Sequence, residues 1–370
     1  MSKFMKEIEK MNSKNIFMIE EIKETPIALA STVEKEFQPI DDVTDKLIQK
    51  DIDALYFVGS GSSYYLNLAA NCFARKMLRV PTNAFCSSEF IYYLSENLSS
   101  DSLVCFSSVS GETTDLLKAV KRVKKLGLRT VSFTNTADST LHKIVNYPIV
   151  SHAGPVKSIG HTKVFPSLLA AEILFILQLS RKLLQAEESK IDRYLEELRS
   201  VHTASESVVK NTENSIKSYA SSLVNKNSAI IVGRGPNYAT ALHGAILLKE
   251  GSLLHTEAIQ AGEFRHGTNC LVEKDFPVVV LIQQGKTSSL LIRLAEDLKE
   301  LEASLLILAD QSFEDLASLT ENVIFLPPVD EYLSPLIYST PLEFLAYYRA
   351  VLKGFNPDEP RRHPRVVRTE

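Results

Sequence analysis

The sequence predicts an α/β protein with two tandem domains, each a doubly wound parallel sheet, related by internal duplication. From about residue 52, short apolar runs such as ALYFVG, SLVCFSS and LRTVSFT alternate with stretches of helical period such as TTDLLKAVKRVKKLG. This alternation is typical of βαβ units, in which helices join parallel strands. A second series of the same kind begins near residue 228.

The duplication is visible as a constant interval of 174 residues between matching positions in the two series. One match could arise by chance, but an ordered run of matches indicates two homologous domains. The matched pairs are Gly59 and Gly233, Gly61 and Gly235, Tyr64 and Tyr238, Glu89 and Glu263, Phe90 and Phe264, Gly111 and Gly285, and Thr113 and Thr287.

A chain of 370 residues has room for two domains of ordinary size. We expect five segments along it. They are an N-terminal helical segment (1–45), the first doubly wound domain (46–165), connecting helices (166–222), the second doubly wound domain (223–353) and a C-terminal tail (354–370).

Composition excludes several classes of protein. The net charge of −4 gives no electrostatic bias toward nucleic acid or membrane surfaces. Cys72, Cys86, Cys105 and Cys270 have the spacing of neither a zinc site nor a disulfide framework, so we expect buried, reduced thiols. The N-terminal stretch is charged throughout and carries no apolar signal core. We therefore expect a cytoplasmic protein without nucleic-acid or membrane partners.

Two loops of the first copy are candidates for ligand binding, because doubly wound sheets bind ligands at the carboxyl ends of their strands. These loops are GSGSS (59–63) and SSVSGETT (107–114). In the second loop, Ser108, Ser110 and Thr113 can surround an anion, with help from backbone N–H groups and the following helix dipole. Hydroxyls in place of Lys or Arg suggest a phosphomonoester on a small, neutral body.

The alternative is that Ser110 or Thr113 only caps the following helix, with Glu112 in its first turn. A role in capping alone would not require the two copies to differ at the candidate positions, yet they do differ there. Asn237, Ile282 and Gln284 stand where the first copy has Ser63, Ser108 and Ser110. We therefore assign the anion site to the first copy.

The second copy is rich in groups that transfer protons. Glu250 ends the predicted helix ATALHGAILLKE, where the helix dipole disfavours a carboxylate and favours its protonated form. A general acid or base near neutrality requires such a residue. His266, in the heptad AGEFRHG, is a candidate for a second proton transfer.

Two alternatives concern the neighbouring polar residues. His255 and Glu257, with Glu263 and His266, have a spacing that permits a metal site, although a site with its own acid and base does not need one. His255 and Glu257 also suit a plain polar strand. Because Glu263 repeats Glu89, we expect Glu263 to have a shared structural role rather than a catalytic one.

The ordered motifs resemble the sugar isomerase (SIS) family from about residue 18 to the C-terminus. Within that family, the sequence is most similar to the isomerase half of glutamine:fructose-6-phosphate aminotransferase and to stand-alone glucosamine-6-phosphate deaminases and fructosamine-6-phosphate deglycases. The motifs are GSGSS, SSEF, SVSGETTD, HTKVF, GRGPNYATALHGAILLKE, AGEFRHG and the tail NPDEPRRHPRVVRTE.

The resemblance implies a homodimer with a shared active site and no cofactor or metal. It implies that Glu250 moves protons between C1 and C2 of a phosphosugar, and that His266 assists ring opening from the other subunit. It also implies that the tail closes over the site. The phosphate would be held by Gly61, Ser63, Ser108, Ser110 and Thr113.

Three departures from the family pattern bear on the reaction. The usual Ser-Gln-Ser reads Ser108-Val109-Ser110, and the segment 156–163 lacks the glutamate that precedes Ser-Thr-Lys in the synthase. Arg365 occupies the tail position of the synthase lysine that forms a Schiff base with the ketose. Arginine stays protonated and cannot form this imine, although it can hold a phosphate or hydroxyl.

Cleavage of an existing C–N bond needs no lysine imine, because the substrate supplies the nitrogen. No glutaminase motif was identified either, so we expect no internal ammonia supply. We therefore predict an amino-sugar phosphate deaminase or isomerase acting on glucosamine 6-phosphate or a similar hexose 6-phosphate. The alternatives are a ketosamine 6-phosphate deglycase, a simple aldose–ketose isomerase and a sugar-phosphate sensor without turnover.

Overall fold

The computed structural model describes residues 17–359 and 366–368. The strands are β1 Leu55–Gly59, β2 Thr82–Cys86, β3 Leu103–Ser108, β4 Arg129–Thr134, β5 Tyr147–Val150, β6 Ser228–Gly233, β7 His255–Gln260, β8 Pro277–Ile282, β9 Ser304–Asp310 and β10 Val323–Leu326. The helices are α1 Phe17–Lys23, α2 Thr25–Leu47, α3 Ser62–Met77, α4 Ser87–Glu89, α5 Thr114–Lys125, α6 Thr140–Ile144, α7 Val164–Lys182, α8 Glu188–Ser222, α9 Pro236–Ser252, α10 Ala261–Phe264, α11 Ser288–Glu300 and α12 Pro335–Leu352.

The two sheets have the same topology. The first has the strand order β2-β1-β3-β4-β5, and the second has the equivalent order β7-β6-β8-β9-β10. All pairings are parallel. The central strands β3 and β8 are buried along their whole length, as expected for a parallel sheet covered on both faces. The predicted fold of two duplicated, doubly wound domains is confirmed.

The duplication extends to backbone angles at the turn after the first strand of each sheet. Gly61 has φ 55° and ψ −133°, and Gly235 has φ 56° and ψ −132°. A positive φ of this kind is strained for residues with a Cβ atom, so glycine suits both positions. Each turn leads directly into a long helix, α3 in the first copy and α9 in the second.

The chain forms two compact units that do not follow the linear boundaries expected from the sequence. The first unit contains the first sheet and comprises Thr25–Pro155, Lys163–His202 and the described tail residues 366–368. The second contains the second sheet and comprises residues 17–24, Val156–Thr162 and residues 203–359.

This division differs from the expected N-terminal segment (1–45) and connecting helices (166–222). Helix α1 belongs to the second unit and α2 to the first, while α8 runs from one unit into the other. Helix α7 is a layer of the first unit rather than a connector, because its residues are buried continuously from Val164 to Ser180.

Helix α7 is long and apolar enough to cross a bilayer by length and composition, yet 94% of that stretch is buried inside the protein. It packs against α2 and α3 in the first unit. We therefore interpret it as a core helix.

The four cysteines are free thiols. Cys105 is buried, Cys72 and Cys86 are half-buried, and Cys270 is exposed. The expectation of buried thiols is therefore confirmed for Cys105 and wrong for Cys270, which lies in a short 3₁₀ turn, Thr268–Leu271, at the surface.

A buried carboxyl lies in the middle of α7. Glu172 is fully buried, and one of its oxygens accepts a hydrogen bond of 2.5 Å from the Ser107 hydroxyl. Burial raises the pKa of Glu172 to about 8. At neutral pH this side chain is therefore mostly protonated in the folded protein.

We expect the stability of the first unit to fall as the pH rises. The raised pKa means that the unfolded chain loses this proton near pH 4.5 and the folded chain near pH 8, so the stabilisation is complete below 4.5 and lost by about 8. The full difference is about 5 kcal/mol. Glu172→Gln keeps an acceptor for Ser107 and removes the titration, so its denaturant midpoint should change less between pH 5 and 9 than that of wild type.

The control for this prediction is Glu196→Gln, at an exposed position of α8. It should keep the wild-type pH dependence. A Glu172→Gln protein with an unchanged pH dependence of stability would show that Glu172 does not titrate in this range.

Candidate functional site

The loop 107–114 folds back on itself and places two hydroxyl groups side by side. It begins at the carboxyl end of β3, where the buried Ser108 accepts a hydrogen bond of 3.0 Å from the Gly111 N–H. The Ser108 and Thr113 hydroxyl oxygens are 3.4 Å apart. These two groups, followed at once by the N-terminus of α5, have the donors and the dipole direction that an anion requires.

The capping alternative does not describe what these side chains do. Thr113 is the N-cap residue of α5, but its side chain makes no capping hydrogen bond. The Ser110 hydroxyl accepts only from the Glu112 N–H within the loop, at 3.2 Å. The Glu112 carboxylate instead accepts from the Thr140 N–H and hydroxyl, at 2.7 and 2.8 Å, and so fixes the loop to the start of α6.

The second candidate loop, 59–63, lies at the same edge of the sheet. Strands β1 and β3 are neighbours, and their register pairs Gly59 with Ser107. Ser63, in the first turn of α3, is buried and donates its N–H to the Ser60 carbonyl at 3.2 Å. The fold therefore brings the predicted phosphate-binding residues to one switch point of the first unit. We call this set Gly61, Ser63, Ser108, Ser110 and Thr113 the hydroxyl cradle.

The matching crevice of the second copy is filled by the chain's own side chains. Asn237, which replaces Ser63, is fully buried and donates to the Ser334 hydroxyl at 2.8 Å and the Gln283 side chain at 3.2 Å. The Glu331 carboxylate accepts from the Lys286 N–H at 3.2 Å. A carboxylate of this chain thus occupies the loop in which an external anion would meet backbone N–H groups.

The contact with Glu331 also explains why the two loops differ in conformation despite their matched residues. A Cβ atom at Gly285 would lie 2.2 Å from a Glu331 carboxylate oxygen, so the carboxylate depends on glycine there. Thr287 has φ −120° and ψ 9°, whereas Thr113 has φ −67° and ψ 123°. The sequence match at these positions is therefore not a structural match.

Glu250 lies near the C-terminus of α9, as predicted, and is half-buried. It faces a pocket of about 200 Å³ in the second unit. The other residues that line this pocket are Gly251, Leu253, Gly354, Phe355, Asn356 and Glu359. The first residues of the expected tail (354–370) are thus part of the environment of the candidate base.

An acid that the sequence analysis missed anchors this part of the tail. The buried Asp358 carboxylate accepts from the N–H groups of Phe17 and Met18, at 2.6 and 2.9 Å, and so caps the start of α1. The Asp358 N–H in turn donates to the Asn356 side chain at 3.0 Å. The sequence NPD predicts a turn at this point. It does not predict the partners of the Asp358 carboxylate, which lie more than 300 residues away in the chain.

A second missed acid reaches the segment that lacks the family's glutamate. The carboxylate of Glu21, in α1, accepts from the Lys157 and Ser158 N–H groups and from the Ser158 hydroxyl. The segment 156–163 has no acid in its own sequence, yet a carboxylate from α1 binds its backbone.

Arg365 lies outside the described residues. The tail is described again at residues 366–368, where the Val367 carbonyl accepts a hydrogen bond of 3.2 Å from the Thr114 N–H. Thr114 is the first residue of α5, directly after the hydroxyl cradle. This stretch of the tail therefore contacts the edge of the candidate anion site.

The AGEFRHG heptad divides into a buried anchor and an exposed turn. Phe264 is buried, as is its duplicate Phe90. The carboxylates of Glu263 and Glu89 are exposed and accept no hydrogen bond from a described residue, so the shared feature is the phenylalanine and not the acid. His266 is exposed in the following turn, and its backbone N–H donates to the Glu263 carbonyl at 2.9 Å.

The alternative metal site has no support among the described residues. His255 and Glu257 are exposed on β7, an edge strand of the second sheet. The described part of the chain contains no group of three His, Cys, Asp or Glu side chains able to hold a metal ion. The plain polar strand is therefore the better interpretation of these two residues.

The fold and the site together describe a tandem α/β protein with one candidate anion site. This site is the hydroxyl cradle of the first copy, since the matching crevice of the second copy is filled. The SIS domain family model matches residues 47–177 and 222–353. The chain belongs to the SIS domain family, as the sequence motifs indicated.

Curated relatives are similar over almost the whole chain. Glutamine–fructose-6-phosphate aminotransferase (isomerizing) of Thermococcus kodakarensis is 32% identical over 354 residues, which cover 96% of this chain and 58% of the relative. The enzyme of the same name from Acidithiobacillus ferridurans is 33% identical over 364 residues, covering 96% and 59%. The chain thus spans a little under three fifths of these relatives.

Solved structures show the same fold. The C-terminal domain of glucosamine-fructose-6-phosphate aminotransferase from Francisella tularensis matches with a TM-score of 0.88 and 26% identity, covering 94% of this chain and 99% of that one. Glucosamine-6-phosphate deaminase from Thermotoga maritima matches with a TM-score of 0.75 and 23% identity, covering 95% and 99%. The latter likeness establishes the fold alone.

We expect the hydroxyl cradle, and not its duplicate, to bind phosphate. Ser108→Ala removes a hydroxyl from the cradle and should weaken binding of inorganic phosphate about fivefold to tenfold, the effect of one hydrogen bond. The matched control is Ser288→Ala, because Ser288 accepts from Gly285 N–H as Ser108 accepts from Gly111 N–H. Isothermal titration should show an unchanged affinity for the control, and a loss of equal size in both variants would contradict the assignment.

Proposed function

We propose that the protein is an amino-sugar phosphate deaminase or isomerase that acts on glucosamine 6-phosphate or a similar hexose 6-phosphate. The observation that carries this proposal is the asymmetry between the copies. The first copy keeps a hydroxyl cradle at its switch point, whereas Asn237 and Glu331 fill the corresponding crevice of the second. The names of the relatives, which are sugar-phosphate aminotransferases, agree with a phosphosugar as ligand.

In the proposed reaction, the cradle holds the 6-phosphate and Glu250 moves the proton. Its carboxylate takes the proton from C2 of the open-chain amino sugar, the electron pair forms a double bond between C1 and C2, and the C1 carbonyl oxygen gains a proton from water, which gives an enolaminol. Return of the proton to C1 gives an imine at C2. Water adds to that carbon, the C–N bond breaks, and ammonia and fructose 6-phosphate leave.

Arg365 fits this scheme, because the imine nitrogen comes from the substrate and not from a lysine of the protein. As a permanent cation, arginine can hold an oxygen of the substrate without forming a covalent bond. We propose that the tail closes over the site. The hydrogen bond from Thr114 N–H to the Val367 carbonyl, directly after the hydroxyl cradle, supports this proposal.

We further propose a cytoplasmic homodimer in which His266 opens the sugar ring in the active site of the other subunit. The exposed position of His266, in a turn on the surface of the second unit, supports a role toward a partner. Neutral imidazole can both accept and donate a proton near physiological pH, as ring opening requires.

Glu250→Gln tests the proposed base. Wild type incubated with glucosamine 6-phosphate should release equal amounts of ammonia and fructose 6-phosphate. The variant should lose turnover by at least about a hundredfold, the scale of general-base catalysis, with phosphosugar binding within about threefold of wild type. The control is Glu257→Gln, an exposed glutamate of β7, which should retain activity.

Other outcomes of the same assay identify the alternatives. Release of an amino acid from a ketosamine 6-phosphate would establish a deglycase, and interconversion of fructose and glucose 6-phosphates would establish a simple isomerase. Phosphosugar binding without any product would establish a sensor.

The shared active site can be tested by subunit complementation. His266→Ala and Glu250→Gln should each be inactive as homodimers. Random assembly of the two variants makes half of the dimers mixed, and each mixed dimer has one intact site, so co-expression should restore about a quarter of wild-type activity. No recovery in verified mixed dimers would show that both residues act from the same subunit.

A further inference from the structure

Among the described residues, the hydrogen-bond partners of Arg349 are all backbone carbonyls. It lies in α12 and is only 1% exposed. Its Nε donates to the Leu223 carbonyl at 3.0 Å, its Nη2 to the Lys226 carbonyl at 2.8 Å, and its Nη1 to the Ser252 carbonyl at 2.5 Å. One guanidinium therefore joins the end of α8 and the turn that follows it to the end of α9.

The charge of Arg349 is balanced by these carbonyls. It forms no ion pair with a carboxylate in the described part of the chain. Burial lowers the pKa of Arg349, which shows the desolvation cost that the carbonyls must offset. The carbonyls at a helix C-terminus carry partial negative charge, so a cation is favourable at this point.

The end of α9 that Arg349 holds is the end that carries Glu250. Ser252 is the last residue of α9, two residues after Glu250. Leu253 then adopts a left-handed conformation with φ 54°, and the Leu254 N–H returns to the Leu248 carbonyl at 3.1 Å. A left-handed leucine costs about 1–2 kcal/mol, so this turn depends on the contacts around it.

We propose that Arg349 is a positioning residue that fixes the last turn of α9 and thereby the orientation of the Glu250 carboxylate toward substrate. This inference rests on the proposed role of Glu250 as the base. Arg349 itself touches neither substrate nor the reacting atoms. Its role is to limit the positions of the helix end, because a displacement of about 1 Å in a catalytic group can reduce the rate a hundredfold.

The first unit offers a matched control. Within the described ranges, Arg129, at the start of β4, also donates only to backbone carbonyls, those of Leu47, Lys50, Asp51 and Asp101. It lies at the amino end of its strand, whereas the hydroxyl cradle lies at the carboxyl ends. Loss of Arg129 should therefore destabilise the protein without disturbing Glu250 or the cradle.

The experiment compares Arg349→Met, Arg349→Lys and Arg129→Met with wild type in the full chain. Arg349→Met should lower kcat for glucosamine 6-phosphate about tenfold to a hundredfold, with KM within about threefold, because phosphate binding lies elsewhere. Arg349→Lys should recover part of kcat, since an ammonium can reach some of the same carbonyls. Arg129→Met should lower the thermal midpoint and leave kcat within about twofold of wild type.

Hydrogen exchange separates failure of this inference from failure of the proposed function. Exchange in peptides covering residues 248–256 should accelerate in Arg349→Met and not in Arg129→Met, whether or not wild type turns over the substrate. Unchanged exchange there, an unchanged kcat in folded Arg349→Met, or an equal loss of kcat in Arg129→Met would each overturn the inference. An inactive wild type would overturn the proposed function, and the exchange measurement would still decide whether Arg349 holds this turn.

Discussion

The structure depends on one backbone constraint, the left-handed turn that follows the first strand of each sheet. Gly61 and Gly235 adopt this turn with angles that agree within a degree, and each turn sets the direction of the long helix that follows. In the proposed function, the two copies use opposite ends of that helix. In the first copy, the N-terminus of α3 contributes Ser63 to the hydroxyl cradle, and in the second copy the C-terminus of α9 carries Glu250.

The helix dipole gives a physical reason for this proposed use of opposite helix ends. The N-terminus of a helix favours an anion, and the C-terminus disfavours a carboxylate and so favours its protonation. In the proposed function, one duplicated element therefore provides an anion-binding end and a proton-exchanging end. In the second copy, the corresponding crevice is filled, because Asn237 donates to both Gln283 and Ser334 and Glu331 occupies the neighbouring loop.

The features that the sequence predicted correctly are those that depend on residues close together in the chain. The sequence predicted the strands, the duplication, and the places of Glu250 and the cradle serines in the fold. Strands, helix ends and strand-end loops leave periodic or positional patterns in a sequence, so these features could be predicted. The contacts of Asp358, Glu21 and Arg349 could not be predicted from the sequence, because each side chain binds backbone groups that are distant along the chain. Almost every residue type supplies a backbone N–H and a carbonyl, so the sequence does not mark such partners. The linear boundaries differ from the units for the same reason.

The interleaving of the units has a consequence for the two repeats. Helix α1 and the segment Val156–Thr162 belong to the second unit, although both precede its repeat in the chain. A cut anywhere from 166 to 222 would leave Phe17 on one fragment and its cap, Asp358, on the other. The two repeats of the sequence are therefore not two separable folding units, because each compact unit includes segments that lie outside its own repeat.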